Sequence, residues 1–446
     1  MRHLYEAPAY DTSRWPDSHW RASLPAPIPC PALAGEARAE VAVIGAGYAG
    51  LNAALELART HGADVAVLEA GQPGWGASGR NGGFCCLGGA KLGDRQIVAR
   101  VGEGGARDFR DFQHRAIERV AALLAGEGID ARQGPAGDIC LAHSPRAFAA
   151  LVQEADDKRR LYGETAELLP PEALAEHGLA GPGFHGALVV EAGFPLHPLA
   201  YAEGLARAAQ AAGVRIHGQS PVTDLAPEGA TWRLTTPGGT LRARRVLVAT
   251  NGYSSEDLPP WIAGRTLPAQ SAILMTRPLS PAEKRAQGFT TPIMSYDTRH
   301  LLHYFRHLPD GRFLFGMRGG TSATPKAEAA TAARVRAEFR RLFPAWAGVE
   351  VAHEWAGFVC LTGSLAPFVG PVPGAKGLFA AFGWHGNGVA PASLGGALAA
   401  GLIAGIPTAI PALMRQPPRR FPLPPLRRLW LRAAYRAYAL QDGPLP

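Results

Sequence analysis

The run Glu40–Ala70, EVAVIGAGYAGLNAALELARTHGADVAVLEA, leaves few choices of fold. Val41–Ile44 is a short apolar run rich in β-branched residues, the pattern of a strand buried on both faces. Gly45, Gly47 and Gly50 follow in the spacing G-x-G-x-x-G, and a helical stretch then turns Leu51, Ala54, Leu55 and Ala58 to one side. A second apolar run, DVAVLEA, ends on Glu69 and Ala70, with Glu69 nineteen positions after Gly50. Each part has a mechanical reason. Gly45 permits the tight turn, Gly47 lets backbone approach a pyrophosphate, and Gly50 lets helix and strand pack closely. Phosphates meet unpaired N–H groups where Ala46, Tyr48 and Ala49 open the helix, and Glu69 accepts from ribose hydroxyls. The carboxylate would repel a 2′-phosphate, so the reading is a dinucleotide other than NADP, with NAD and FAD both open.

A chain of 446 residues has room for two or three domain-sized units, or two interleaved ones. No apolar run reaches the roughly 18 residues of a transmembrane helix. The N-terminus, MRHLYEAPAYDTSRWPDSHW, lacks the apolar core of a secretory signal, so a cytoplasmic protein is expected. The net charge of +8 comes from scattered arginines and implies a mild preference for anionic partners. No basic stripe with interleaved aromatics points to nucleic acid. Cys30, Cys85, Cys86, Cys140 and Cys360 form no C-x-x-C pair and leave one over, as reduced thiols would. Cys85 and Cys86 read as two small packed side chains. No histidine spacing suits a metal, and none is expected.

Residues 1–37 read as a Pro-rich arm wrapping the surface. Strand–helix alternation at 38–90, 186–253 and 349–406 gives the three pieces of one dinucleotide-binding domain. Helical material at 91–185 and short strands at 254–348 give a second, antiparallel-sheet domain interleaved with it. Residues 407–446 form a tail with the amphipathic basic helix PLRRLWLRAAYRAYAL, expected to dock on the dinucleotide-binding domain. The fold class is therefore α/β, with a Rossmann-like domain and a discontinuous partner. A plain NAD-dehydrogenase layout would instead complete its second mononucleotide half soon after Ala70.

A second glycine cluster, AGQPGWGASGRNGGF, follows Glu69 at once. Together with the opening run it resembles the FAD-dependent amine oxidoreductases of the D-amino-acid-oxidase superfamily, in the gamma-glutamylputrescine oxidase branch. GASGRNGG is the specific part. HPLAYAEGLARAAQAAGV (197–214), LVATNGY (247–253), YDTRHLLHYFRHLPDGRFLFGMRGG (296–320) and FGWHGNGVAPASLGGALAAGLIAG (382–405) extend the likeness over nearly the whole chain. The resemblance implies FAD and a glutathione-reductase-type Rossmann domain. Its cofactor contacts here would be Gly76, Ala77, Ser78, Gly79, Arg80, Asn81, Gly82 and Gly83. Further contacts would come from Val222, then Ala249, Thr250, Asn251 and Gly252, and finally Gly383, Gly386, Asn387, Gly388 and Val389. A flavin extends far from its pyrophosphate, so a second loop open to close backbone approach suits it. Ser78 can donate to a phosphate, and Arg80 can answer its charge. The helix opening at Gly388 would turn its positive end to the flavin pyrimidine.

The reaction so implied is oxidation of a C–N bond. A neutral amine gives hydride to flavin N5, the imine hydrolyses to an aldehyde or keto product, and O2 takes the electrons as H2O2. Polyamine-like, gamma-glutamylated or N-substituted amines fit. Tyr304, Trp384 and His385 are the candidates at the reacting face, and Tyr296, Arg306 and Arg318 those for substrate contact. Relatives carry a histidine in a G-H-G run where Asn387 stands, and His385 lies two positions earlier. In α-amino-acid oxidases of the superfamily, W-A-G-L-R-P-x-T supplies a carboxylate-clamping arginine. The stretch here is WAGFVCLT, with Val359 in that place. An amine or a distant-carboxylate substrate is therefore favoured, with Arg306 or Arg318 as the replacement clamp. Monomeric sarcosine oxidases hold their flavin on a cysteine where Gly357 stands, so the FAD here is expected to be non-covalent. Two alternatives remain. One is a D-amino-acid or amine dehydrogenase passing electrons to a quinone or carrier, with weak membrane-surface contact through the tail helix. The other is a non-catalytic FAD-binding subunit.

Overall fold

The computed structural model describes residues 2–445. The arm carries a 3-10 turn at Ala7–Tyr10 and a short α-helix, α1 (His19–Ala22), before β1 (Gly35–Ile44) enters the first sheet. The chain turns into α2 (Tyr48–His61), stopped by Gly62 in the left-handed region at φ 60°, and returns as β2 (Val65–Leu68). After β3 (Phe84–Cys85) come α3 (Asp94–Gly126), kinked at Gly102, then β4 (Asp138–Leu141) and α4 (Pro145–Tyr162). The strands β5 (Glu167–Leu169), β6 (Ala187–Val190) and β7 (Phe194–Pro195) lead to α5 (Pro198–Ala211). There the His197 Nδ1 caps the helix by accepting from the Ala200 N–H at 3.0 Å. β8 (Arg215–His217), the hairpin β9 (Asp224–Glu228) and β10 (Thr231–Thr235), and β11 (Gly239–Val248) follow. Next come β12 (Thr266–Thr276), α6 (Pro281–Gln287), β13 (Met294–Asp297), β14 (His303–His307), β15 (Phe313–Arg318) and α7 (Pro325–Leu342). The chain closes with β16 (Val351–Thr362), β17 (Phe368–Pro371), β18 (Leu378–Phe382), α8 (Val389–Ala404), α9 (Ala412–Arg415) and α10 (Arg427–Asp442).

The first sheet runs β17-β18-β11-β1-β2-β8, with the β9–β10 hairpin attached through β11. Its central strands β18, β11, β1, β2 and β8 are parallel. Alternation along them builds two cores. Val41, Val43 and Val67 pack under α2, α5 and α8, while Ala42, Ile44 and Leu68 meet Leu234 on the opposite face. Gly396 of α8 lies against Ala49 so tightly that a Cβ there would come within 2.2 Å of its carbonyl oxygen. That crossing sets α8 directly on the first turn of α2. The second sheet runs β16-β12-β15-β14-β13-β4-β6-β5 and is antiparallel except between β13 and β4.

Three expectations need correction. β6 pairs with β4 and β5, so Ala187–Val190 belongs to the second sheet although it falls within the 186–253 piece. β16 pairs with β12 from Thr362↔Thr266 onward, so Val351–Thr362 leaves the 349–406 piece likewise. An apolar run fixes a strand but not the sheet it joins. The tail helix α10 docks on the second sheet, burying Leu431 against Leu267 and Ala269 of β12. Arg427 holds it there by donating to the Thr266 carbonyl at 2.9 Å and pairing with Glu256.

Candidate active site

The carboxyl ends of β1, β2 and β11, the N-termini of α2 and α8, and one face of the second sheet enclose a cavity of about 570 Å³. Gly47, the N-cap of α2, has no side chain with which to cap the helix. A Cβ there would stand 2.9 Å from the Ser78 Oγ, which accepts from the Tyr48 N–H at 3.0 Å. Gly388 caps α8 equally without a side chain, leaving that helix's first N–H groups turned to the same space. Glu69 lies between these elements, accepting from the Ala46 N–H at 2.7 Å and the Gly71 N–H at 2.9 Å. Burial raises the pKa of its carboxyl, and the two amides oppose that rise. Each oxygen keeps a further lone pair for a hydroxyl.

Of the expected cofactor contacts, Gly45, Gly47, Tyr48, Ala49, Glu69, Ala70, Gly76, Ala77, Ser78, Arg80, Asn81 and Gly82 line the cavity. So do Val222, Ala249, Thr250, Asn251, Gly386, Asn387, Gly388 and Val389. Ala46, Gly50, Gly79, Gly83, Gly252 and Gly383 stand behind this wall instead. A Cβ on Gly50 would meet the Gly45 carbonyl oxygen at 1.9 Å, and one on Gly83 the Leu196 carbonyl oxygen at 2.0 Å. Both serve packing. Arg80 donates from Nε to the Trp75 carbonyl at 2.8 Å, and its guanidinium lies 4.0 Å from the centre of the Trp75 ring. Asn81 staples the loop, donating to the Ala77 and Ser78 carbonyls and accepting from the Gly83 N–H. Asn251, at φ 45°, accepts from the Gly383 N–H at 2.9 Å and ties the ends of β11 and β18 together.

Among the substrate-side candidates, Tyr304 faces the cavity and shares a 2.8 Å hydrogen bond with the Ser271 hydroxyl. Burial lifts its phenol to about 12. Tyr296, its cross-strand partner, and Trp384 also line the space, the latter wedged against Gly388 and Gly395 of α8. Two candidates are tied up in hydrogen bonds within the protein. His385, at φ 53°, lines the cavity but has both ring nitrogens occupied: Nδ1 on the Gly89 carbonyl at 2.9 Å and Nε2 on the Thr362 N–H at 3.2 Å. Burial drops its pKa to about 4, so it is a neutral structural ring with no nitrogen left for catalysis. Arg306 lies outside the cavity behind the glycine loop, donating to the Gly82 carbonyl at 2.9 Å and the Leu196 carbonyl at 2.7 Å. It holds the loop and cannot hold substrate.

Arg318 does reach the cavity. A Cβ on Gly386 would lie 3.6 Å from the Arg318 Nη2 and 3.6 Å from the Val359 Cγ1, so the guanidinium stands beside the residue that departs from the clamp pattern. Sequence reasoning missed Lys91, which lies in a glycine-rich loop with no motif of its own. Burial lowers its ammonium to about 8, and Arg318 pushes the same way. Among the described residues neither cation has an ion-pair partner. The arm also contributes His3, Tyr10 and Thr12 to the lining, where only a surface wrap was expected. The Trp20 indole N–H donates to the Asn81 carbonyl at 2.9 Å, anchoring the second glycine loop.

The donor set fits FAD: two helix N-termini whose own N-cap residues are glycines, an acid at the end of β2, a side-chain-free approach at Gly47, and an aromatic chamber at the far end. Comparison with known proteins agrees. The model of the family described as DAO, FAD dependent oxidoreductase, matches residues 40–402. A probable oxidoreductase, OrdL, of Haemophilus influenzae is 32% identical over 84% of this chain and 85% of its own length. The gamma-glutamylputrescine oxidoreductase of Escherichia coli is 30% identical over 91% and 93%. The crystal structure of glycine oxidase from Geobacillus kaustophilus superposes with a TM-score of 0.71 over 85% of this chain and 99% of its own, at 24% identity.

Proposed function

Since the chain belongs to the DAO family of FAD-dependent oxidoreductases, we propose that it oxidises the C–N bond of an amine whose other end carries an acid group. FAD, when bound, accepts the electrons and the hydrogen lost from carbon. Arg318 and Lys91 bind and orient the acid group, and this unpaired cation pair in the cavity is the observation that carries the reading. Tyr296, Tyr304 and Phe84 exclude water from the substrate chain and disfavour the ammonium form, which has no lone pair to assist C–H cleavage. The gamma-glutamylputrescine oxidoreductase relationship supports a substrate of this kind. Dioxygen is the proposed acceptor. The FAD is dissociable: Gly357 offers no thiol, and burial pushes the Cys360 thiol up to about 12, far from a reactive thiolate. The test is anaerobic mixing of the purified holoprotein with polyamines, gamma-glutamylated amines, N-methyl amino acids and D-amino acids. Acid-bearing amines should bleach the flavin and plain polyamines should not.

A second reading, delivery of electrons to a carrier at an anionic lipid surface, is favoured by the outer face of α10. Leu426, Leu429, Trp430, Ala433, Ala437 and Leu440 recur at helical spacing there, with Leu429 53% exposed, Trp430 52% and Leu440 85%. From Arg415 to Leu440 the chain carries seven arginines and no acid; two of them, Arg427 and Arg428, pair with Glu256 and Glu6, which leaves five. Two such faces would repel each other in a dimer, whereas anionic headgroups would complement them. Asp442 at the end of α10 accepts from the His300 and Leu301 N–H groups, beside the cavity-lining Leu302, which brings the stripe near the cavity. Binding to vesicles rich in phosphatidylserine, weakened by salt and lost in Leu429→Ser/Trp430→Ser, is the expected result. No binding to such vesicles at low salt would remove this reading.

A further inference from the structure

One carboxyl in the cavity has no assigned part. Asp138, at the start of β4, is 5% exposed and lines the space. Among the described residues its side chain makes no hydrogen bond and no ion pair. Burial raises its pKa to about 7, with Lys158 and Arg110 opposing the rise and Glu154 adding to it. Lys158 itself pairs with Glu154, and Arg110 with Glu164, so these cations are committed behind the strand. Leaving a carboxyl buried and unpaired is costly unless a ligand completes it.

Its place in the second sheet says what that ligand brings. Met294 sits opposite Asp138, Tyr296 opposite both Cys140 and Tyr304, and Tyr304 opposite Gly316, two positions before Arg318. One sheet face therefore presents an acid on β4, two phenol rings on β13 and β14, and a cation on β15. The ends of that row are three strand spacings apart across the sheet and four residues apart along it, roughly 19 Å between backbones. We infer that Asp138 receives the amino end of the substrate as its ammonium and takes up one of its protons to leave the neutral amine. Arg318 and Lys91 hold the acid end, so that the cavity selects bipolar chains, ω-amino acids in chemical class. This rests on the proposed function and narrows it. So wide a separation calls for several carbons between the two charged ends, not the single carbon of an α-amino acid, and Tyr296 and Tyr304 give those methylenes an apolar floor.

The test titrates FAD-loaded full-length protein with 5-aminopentanoate, pentylamine and pentanoate, reading the flavin spectrum and binding heat. Asp138→Asn, of the same shape but without the charge, should weaken 5-aminopentanoate and pentylamine by roughly ten-fold or more and leave pentanoate unchanged. Asp138→Glu should retain amine binding. In the wild type, which needs no variant to fold, pentylamine and pentanoate should bind together without competing. Unchanged amine binding in Asp138→Asn, or mutual exclusion of the two single-charge probes, would overturn the inference while leaving the acid clamp intact. Failure of every probe to bind would instead count against the proposed function, and with it the inference.

Discussion

Replacing Gly47 with valine yields, on this account, a folded protein that has lost its flavin. Gly47 sits at φ −88° and ψ −175°, extended backbone that any residue adopts, so the fold carries no strain from the change. Its Cβ would meet only the Ser78 hydroxyl, at 2.9 Å, a side-chain atom that can turn aside by releasing the Tyr48 N–H. The added methyls would occupy the space over the first turn of α2, where a pyrophosphate must approach the N–H groups. A loss of about 3 kcal/mol in FAD affinity corresponds to roughly two orders of magnitude, enough for the protein to purify colourless. Gly50→Val makes the contrast. Its Cβ would lie 1.9 Å from the Gly45 carbonyl oxygen, a backbone atom that cannot step aside, so insoluble protein is expected there. Flavin content per folded protein, with thermal unfolding as the control, checks both.

The second large effect is expected at Arg318. Arg318→Met keeps the length and apolar stem of the side chain and removes the five donors. Losing charge-assisted hydrogen bonds to a carboxylate costs about 2–3 kcal/mol, a rise of roughly 30- to 150-fold in KM for an acid-bearing amine. Flavin content should not change, because Arg318 lies at the Val359 end of the cavity, away from Gly47 and Glu69. Arg306→Met should do the reverse, disturbing flavin retention through the Gly82 and Leu196 carbonyls it holds. An equal KM effect in both variants would contradict the assignment.

The two arginines also mark where the sequence stops being legible. Arg306 and Tyr304 are two apart on β14, and Arg318 is two from Gly316 on β15, so strand parity puts all of them on one face. Parity does not say that the loop at Gly82 and Gly83 crosses over Arg306 and leaves Arg318 open. The glycine spacings, Glu69 and the start of α8 at Val389 were readable because each is a local requirement of backbone geometry. Asp138 and Lys91 were not, since their meaning lies in having no partner after folding. His385 misled for a related reason. A histidine near a glycine-rich turn resembles a catalytic group, and only the Gly89 carbonyl and the Thr362 N–H, both distant in sequence, reveal it as a fastener. The strands β6 and β16 were visible as strands, but the sheet they join is decided by partners far along the chain.

The most direct measurement is anaerobic bleaching of the purified protein, reconstituted with FAD, by an amine that bears an acid group several carbons away. The account predicts loss of the visible flavin absorbance with such an amine, a slower or absent response when the acid is missing, and recovery of colour on admitting air. A polypeptide that stays colourless in excess FAD, or a yellow one that no amine bleaches, would contradict it.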